Sequence, residues 1–244
     1  MRKILLAGVA VLGLSFGAMA SDNTAQIDQV GSYNVNQQTQ LGTFGNVRAS
    51  QAGNFQSSTQ TQAAGSTQNR ARVIQTGGSN TASQVQNGSQ NNGVYGFNNP
   101  EGALINQSGT NGRGTQTQSG SNNYVRITQS GDSNAARQTQ SGNMNYARAG
   151  QVDGSRNTIT QTQSSSSNMT SADQFNATNS SATQSQSGND SNSAYTQQQN
   201  GDRMTAVGTQ VGYGNNYYTI QSGNNQLALV NQNGNRNQSY VTQR

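Results

Sequence analysis

The chain has 244 residues, of which 29% are hydrophobic, with a formal net charge of +5, one proline and no cysteine, histidine or tryptophan. This composition excludes a disulfide-stapled domain, removes the commonest general base and metal ligand, and is too polar to fill the thick apolar core of a globular domain of this length. Either the chain is disordered or something other than a large core holds it.

The opening MRKILLAGVAVLGLSFGAMA has Arg2 and Lys3, an apolar run from Ile4 to Phe16 and the small-residue ending Ala18-Met19-Ala20. It reads as a secretory leader over residues 1–20, with the exported chain, 21–244, starting at Ser21. No second apolar stretch approaches the roughly 20 residues of a membrane-spanning helix, so no membrane span is expected.

From there one unit recurs. Glutamines fall at Gln29, Gln40, Gln51, Gln62, Gln75, Gln86, Gln107, Gln118, Gln129, Gln140, Gln151, Gln163, Gln174, Gln186, Gln198, Gln210, Gln221, Gln232 and Gln243, mostly eleven residues apart. The double-length gap between Gln86 and Gln107 holds an irregular unit near residues 87–101, in which Phe97 stands in the glutamine's place. Counted so, there are twenty units, or ten pairs of about 22 residues, a period that signals a solenoid or array.

Within the unit one distance is constant. Asn69 and Gln75, Asn80 and Gln86, Asn123 and Gln129, Asn134 and Gln140, Asn145 and Gln151, Asn157 and Gln163, and Asn237 and Gln243 are each six residues apart, and extra residues enter only before the asparagine. A fixed segment joined by variable ones reads as strand and turn, with strands near 23–29, 34–40, 45–51 and onward to 237–243. Gly77, Gly120, Gly131, Gly142 and Gly234 follow their glutamines by two residues, where a tight reversal needs positive φ.

Side chains alternate along a strand, so the motif asparagine and glutamine share one face with Val125, Ile127, Ala136, Ala147 and Ala149. Tyr124, Arg126, Arg137, Tyr146 and Arg148 take the other face. The fold class is therefore all-β: a two-sheet, cross-β solenoid of about ten stacked two-strand rungs. In it, ladders of buried Asn and Gln, each bonded to its equivalents above and below, replace the missing core. Alternate units share a sheet, which aligns Arg126 with Arg148, a possible contact for extracellular DNA or acidic polysaccharide, and stacks Tyr195, Tyr218 and Tyr240. The twenty-unit count puts Thr39, Thr61, Thr117, Thr128, Thr139 and Thr162 on both sheets, against the single threonine column an ice-binding face needs.

No catalytic, cofactor or metal site is expected. The acids, such as Asp132, Asp153, Asp190 and Asp202, lie scattered in turns with no neighbouring acid, cysteine or histidine.

The pattern Gln-x-Gly-x-x-Asn-x-Ala-x3-Gln stands intact at Gln75, Gly77, Asn80, Ala82, Gln86 and at Gln129, Gly131, Asn134, Ala136, Gln140. It resembles the curlin repeat of bacterial curli over nearly all of residues 21–244. The resemblance implies a self-assembling subunit of a secreted amyloid fibre at the bacterial cell surface, serving biofilm matrix and adhesion. It also implies a dedicated secretion pore, a nucleator and accessory factors as partners. The first unit, Asn23 to Gln29, begins almost at the expected cleavage site, with no long leader for pore targeting. The ending Tyr240, Val241, Thr242, Gln243, Arg244 is similar to the basic ending of minor, nucleating subunits, whereas the strand motif continuing through Gln243 fits a major, fibre-forming one. A monomeric solenoid, as an adhesin stalk or ice-binding protein, is the reading outside that family.

Overall fold

The computed structural model describes residues 6–7, 11–16, 22–91, 102–188 and 190–244. Its strands, in chain order, are β1 (Leu6–Ala7), β2 (Val11–Phe16), β3 (Thr24–Val30), β4 (Val35–Gln40), β5 (Asn46–Asn54), β6 (Ser57–Gln62) and β7 (Arg70–Gly78). They continue with β8 (Thr81–Ser89), β9 (Ala103–Thr110), β10 (Arg113–Ser121), β11 (Tyr124–Asp132), β12 (Ala135–Ser141), β13 (Tyr146–Ser155) and β14 (Thr158–Ser164). The last are β15 (Met169–Thr178), β16 (Ser181–Ser187), β17 (Ser193–Asp202), β18 (Thr205–Val211), β19 (Asn216–Ser222), β20 (Leu227–Asn233) and β21 (Gln238–Gln243). Odd-numbered strands form one parallel sheet, A, and even-numbered strands a second, B. The chain thus winds as an all-β solenoid with no helix among the described residues, so no helix there is long and apolar enough to cross a membrane.

The strip between the sheets is thin, as the composition requires. Val73, Ile105, Ile127, Ala149 and Ala172 from sheet A meet Ala82, Ala136, Ile159 and Ala182 from sheet B. Each buried isoleucine contributes roughly 1.5–3 kcal/mol, but small alanines fill the strip elsewhere, so apolar burial alone is modest.

The turns explain the glycine spacing. Gly120 has φ +95°, and a Cβ there would sit 2.1 Å from the carbonyl oxygen of Gly142 one rung on. Gly77 repeats this against Gly109. Positive φ and the close approach of stacked turns both demand glycine. The residue before each motif asparagine is also left-handed, for example Ser79, Asn122, Ser133 and Met144 with φ between 56° and 58°.

The expected solenoid of about ten rungs is the architecture observed, and one unit in it needs placing. β7 pairs directly with β9, Gln75 against Gln107, and β8 with β10, Gln86 against Gln118. Residues 87–89 of the irregular unit near 87–101 close β8, and among the described residues no further strand stands between β7 and β9 or between β8 and β10; Phe97 and Pro100 lie outside the described residues. From β3 onward the described strands make nine two-strand turns followed by β21, in keeping with the expected ten or so. β1 and β2 fall within the expected leader, 1–20, and pair in parallel with β3 and β4.

Candidate functional site

The motif glutamines form two continuous ladders. On sheet A, Gln75 Nε2 donates to Gln107 Oε1 at 2.9 Å, Gln107 to Gln129 at 2.8 Å, Gln129 to Gln151 at 2.8 Å, and the series runs on to Gln221 and Gln243 at 2.8 Å. On sheet B, Gln86 donates to Gln118 at 3.0 Å, Gln118 to Gln140 at 3.4 Å and Gln140 to Gln163 at 2.7 Å. Each amide has a second hydrogen, and in most of these glutamines it is aimed across the solenoid. Gln140 donates it to Tyr124 O at 3.0 Å, Gln129 to Arg113 O at 3.1 Å and Gln151 to Ala135 O at 3.1 Å. One side chain therefore ties its rung to the next rung and its sheet to the other sheet.

The motif asparagines work differently from expectation. Asn123 Nδ2 donates to Ser119 O at 3.0 Å and Gly142 O at 2.8 Å, while its Oδ1 accepts from the backbone N–H of Asn145 at 3.0 Å. Asn134 holds Ser130 O and Gly154 O, and accepts from the N–H of Asn157. Asn80 and Asn145 repeat the arrangement, and Asn69 and Asn157 bond to the turn carbonyls of Gly88 and Ala177. Asn237 donates its side-chain amide to Asn233 O and its backbone N–H to Asn215 Oδ1 at 3.0 Å, and it is partly exposed just before the edge strand β21. The asparagine reaches its equivalent through backbone rather than through a side-chain ladder. Its short side chain, at the bend, faces turn carbonyls instead of another amide.

A third row was not read from the sequence. Gln38, Gln60, Gln84, Gln116, Gln138, Gln161 and Gln184 form a second glutamine ladder on sheet B, with distances of 2.8–3.1 Å. Its signal is Gln-x-Gln, as in Gln138-Thr139-Gln140. The row stops where Gly208 replaces glutamine, and the ring of the inward Tyr217 lies where a Gly208 side chain would be. Burial pushes the Tyr217 phenol strongly up.

The outer faces differ between sheets. On sheet A, Arg48, Arg72, Leu104, Arg126 and Arg148 occupy one column. Tyr124 and Tyr146 stack at 4.9 Å, Tyr195 and Tyr218 at 4.5 Å, and Tyr218 and Tyr240 at 5.1 Å, as the spacing predicts. Leu104 and Tyr124, although outward, are 3% and 8% exposed. Arg148 pairs with Asp173 at 3.0 Å, and burial still raises the Asp173 carboxyl above its ordinary value against that pull. Burial likewise pushes the Tyr195 phenol up to about 12.

On sheet B, the direct pairing of β8 with β10 moves the threonines. Thr39, Thr61, Thr117, Thr139 and Thr162 fall in one outward column, interrupted by Val85, and only Thr128 lies on sheet A. The expected scatter over both sheets came from counting residues 87–101 as a strand.

Among the described residues no three acids, cysteines or histidines come together as a metal site. What repeats instead is amide, glycine and alanine at fixed spacing. A family described as the curlin associated repeat matches residues 120–152, which run from the end of β10 into β13. Residues 120–152 thus carry a curlin-type repeat. No curated protein matches the chain. The matched segment contains Gly120, Asn123, Gln129, Asn134, Gln140, Asn145 and Gln151, and the units before and after it continue the same ladders. Curlin-type repeats on a β-solenoid are a structural arrangement and not an enzyme family.

Proposed function

We propose that the chain is the repeating subunit of an extracellular, curli-like amyloid fibre of the bacterial surface, serving biofilm matrix and adhesion. One observation carries this reading: donor and acceptor recur identically at successive rungs, so the chemistry that joins β11 to β13 would equally join rungs of two chains. Homopolymerisation is the direct consequence. The fibre-forming role is favoured over nucleation because the same glutamine bond recurs from rung to rung along sheet A, as between Gln129 and Gln151 and between Gln221 and Gln243. A secretion pore, nucleator and accessory factors are the partners this role calls for, together with cleavage of residues 1–20.

Incubation of the exported chain with thioflavin T should give a lag followed by fluorescence growth. Aligned fibres should give reflections at about 4.7–4.8 Å and about 10 Å. A chain that sediments as a monomer at every concentration would sink the reading. That outcome would favour the second one, a monomeric solenoid whose threonine column on sheet B binds ice or another ordered surface, which ice-growth inhibition would test.

A further inference from the structure

Ladder amides donate toward the C-terminal side and accept from the N-terminal side, as from Gln38 to Gln60 and Gln40 to Gln62. At β4 the series stops. Asn36 Oδ1, Gln38 Oε1 and Gln40 Oε1 have no donor, although these side chains are at most 2% exposed. Their register partners in β2 are Leu12, Leu14 and Phe16. Buried amide oxygens left unpaired are rare and unfavourable, so three on one strand mark a place fitted to a strand with polar hydrogens. Beside it on β3, the inward Ala25 is exposed and Ile27 only partly buried.

At the other end of the solenoid the sheets stop half a rung apart, sheet B at β20 and sheet A at β21. The inward positions are Ala228, Val230 and Gln232 on β20, and Ser239, Val241 and Gln243 on β21. We propose that β4 of one copy stacks on β21 of another while its β3 stacks on β20, so that successive copies turn through half a turn about the fibre axis and exchange faces. In this joint Gln243 donates to Gln40 and Ser239 to Asn36. Across it Ala228 meets Ala25, Val230 meets Ile27 and Gln232 meets Gln29. Stacking without exchange leaves a missing half-rung between β20 and β4. Closing that gap would set Ala228 against Asn36, with no donor. Gln38 faces a valine in either case and does not discriminate. Because β2 occupies the β4 edge, the joint forms once residues 1–20 are released. Along each side of the fibre, the arginine and tyrosine face then alternates with the threonine face.

This inference rests on the fibre reading, and the test separates the two. The chain has no cysteine, so introduced pairs report without background. Positions opposite each other on neighbouring strands lie about 4.8 Å apart, within disulfide reach. Fibres of the leader-free chain carrying Thr39→Cys with Thr242→Cys should, on mild oxidation, give a ladder of covalent oligomers on a non-reducing gel. Asp28→Cys with Thr242→Cys should not. A ladder from the second pair alone, or fibres with a ladder from neither, overturns the face exchange and leaves the fibre standing. Failure of the unsubstituted chain to form fibres overturns the fibre reading and the joint with it.

Discussion

Sheets A and B share one backbone geometry and one register, yet they do different work. At the inward position two residues before the motif glutamine, sheet A presents Ile27, Ala49, Val73, Ile105, Ile127 and Ala149, whereas sheet B presents Gln38, Gln60, Gln84, Gln116 and Gln138. A solenoid this thin cannot bury two full amide rows facing each other at that level, because each amide needs an acceptor for its second hydrogen. Sheet A answers with backbone: Gln138 Nε2 takes Arg126 O at 3.0 Å, and Gln161 takes Arg148 O at 2.8 Å. Apolar side chains on A leave that carbonyl reachable from B. The outer faces diverge too, since outward residues do not enter the stitch and are free to carry charge and aromatic rings on A and hydroxyls on B.

The largest effect should come from making sheet B like sheet A. Gln138→Ile removes a ladder rung, leaves Gln161 Oε1 and Arg126 O without their donor, and takes the acceptor from Gln116. With net hydrogen bonds near 1 kcal/mol and orphaned groups costing more, stability should fall by about 3 kcal/mol. Gln140→Ala should cost about 2–3 kcal/mol for the same reasons, whereas Thr139→Ala, outward on the same strand, should change little. Lag time in assembly and the denaturant midpoint of the fibres should rank the three in that order. Equal values for Gln140→Ala and Thr139→Ala would refute the division into inner and outer faces.

A smaller, face-specific effect concerns sheet A. Stacked arginines repel across neighbouring strands, and a bound polyanion would relieve that repulsion. DNA or acidic polysaccharide should therefore bind with an affinity that falls as salt rises, and Arg126→Ser with Arg148→Ser should weaken it and flatten the salt slope. Arg137→Ser, outward on sheet B, serves as the control, and an equal loss there would remove the sheet A strip as the site.

Much of this was legible in the sequence. The Asn-x5-Gln spacing gave strand positions to within a few residues, the phase of arginine against glutamine separated the faces, and the glycine spacing marked the turns. Three things were not legible, each for a physical reason. Residues 87–101 are as long as a unit, and length alone does not reveal whether a segment pairs. The pairing of Gln75 with Gln107 decides it, and that parity moved Thr39, Thr61 and Thr117 onto one column. Gln-x-Gln was visible, but a recurring glutamine becomes a ladder only when strands with the same pair are neighbours, as on sheet B. Asparagine and glutamine look equivalent as buried amides, yet one methylene decides whether the group reaches the next amide or the turn carbonyl beside it.

The smallest expected effect is a pH response confined to sheet A, since the strands of sheet B contain no carboxylate. Asp173 sits outward on β15 between Gly150 and Gln197, with Arg148 at 3.0 Å. Burial raises its carboxyl, Arg148 pulls it back, and the net direction is upward. A folded carboxyl that holds its proton more tightly than the unfolded one favours the folded state as pH falls from the raised value toward the ordinary 3.8. Above that window the ionised, partly desolvated group is a cost that the ion pair only partly offsets. Asp173→Asn removes the titration. At neutral pH the variant should match or slightly exceed the parent, by about 1 kcal/mol or less for a partly exposed pair. On acidification the gap should close as the parent gains. Asp132, lowered chiefly by the Thr110 hydroxyl, acts in the opposite sense but is common to both chains and cancels in the difference. Denaturant midpoints of both chains across this window would decide the matter: a parent that loses ground to Asp173→Asn as pH falls would show that the Arg148 pair, and not burial, governs this part of sheet A.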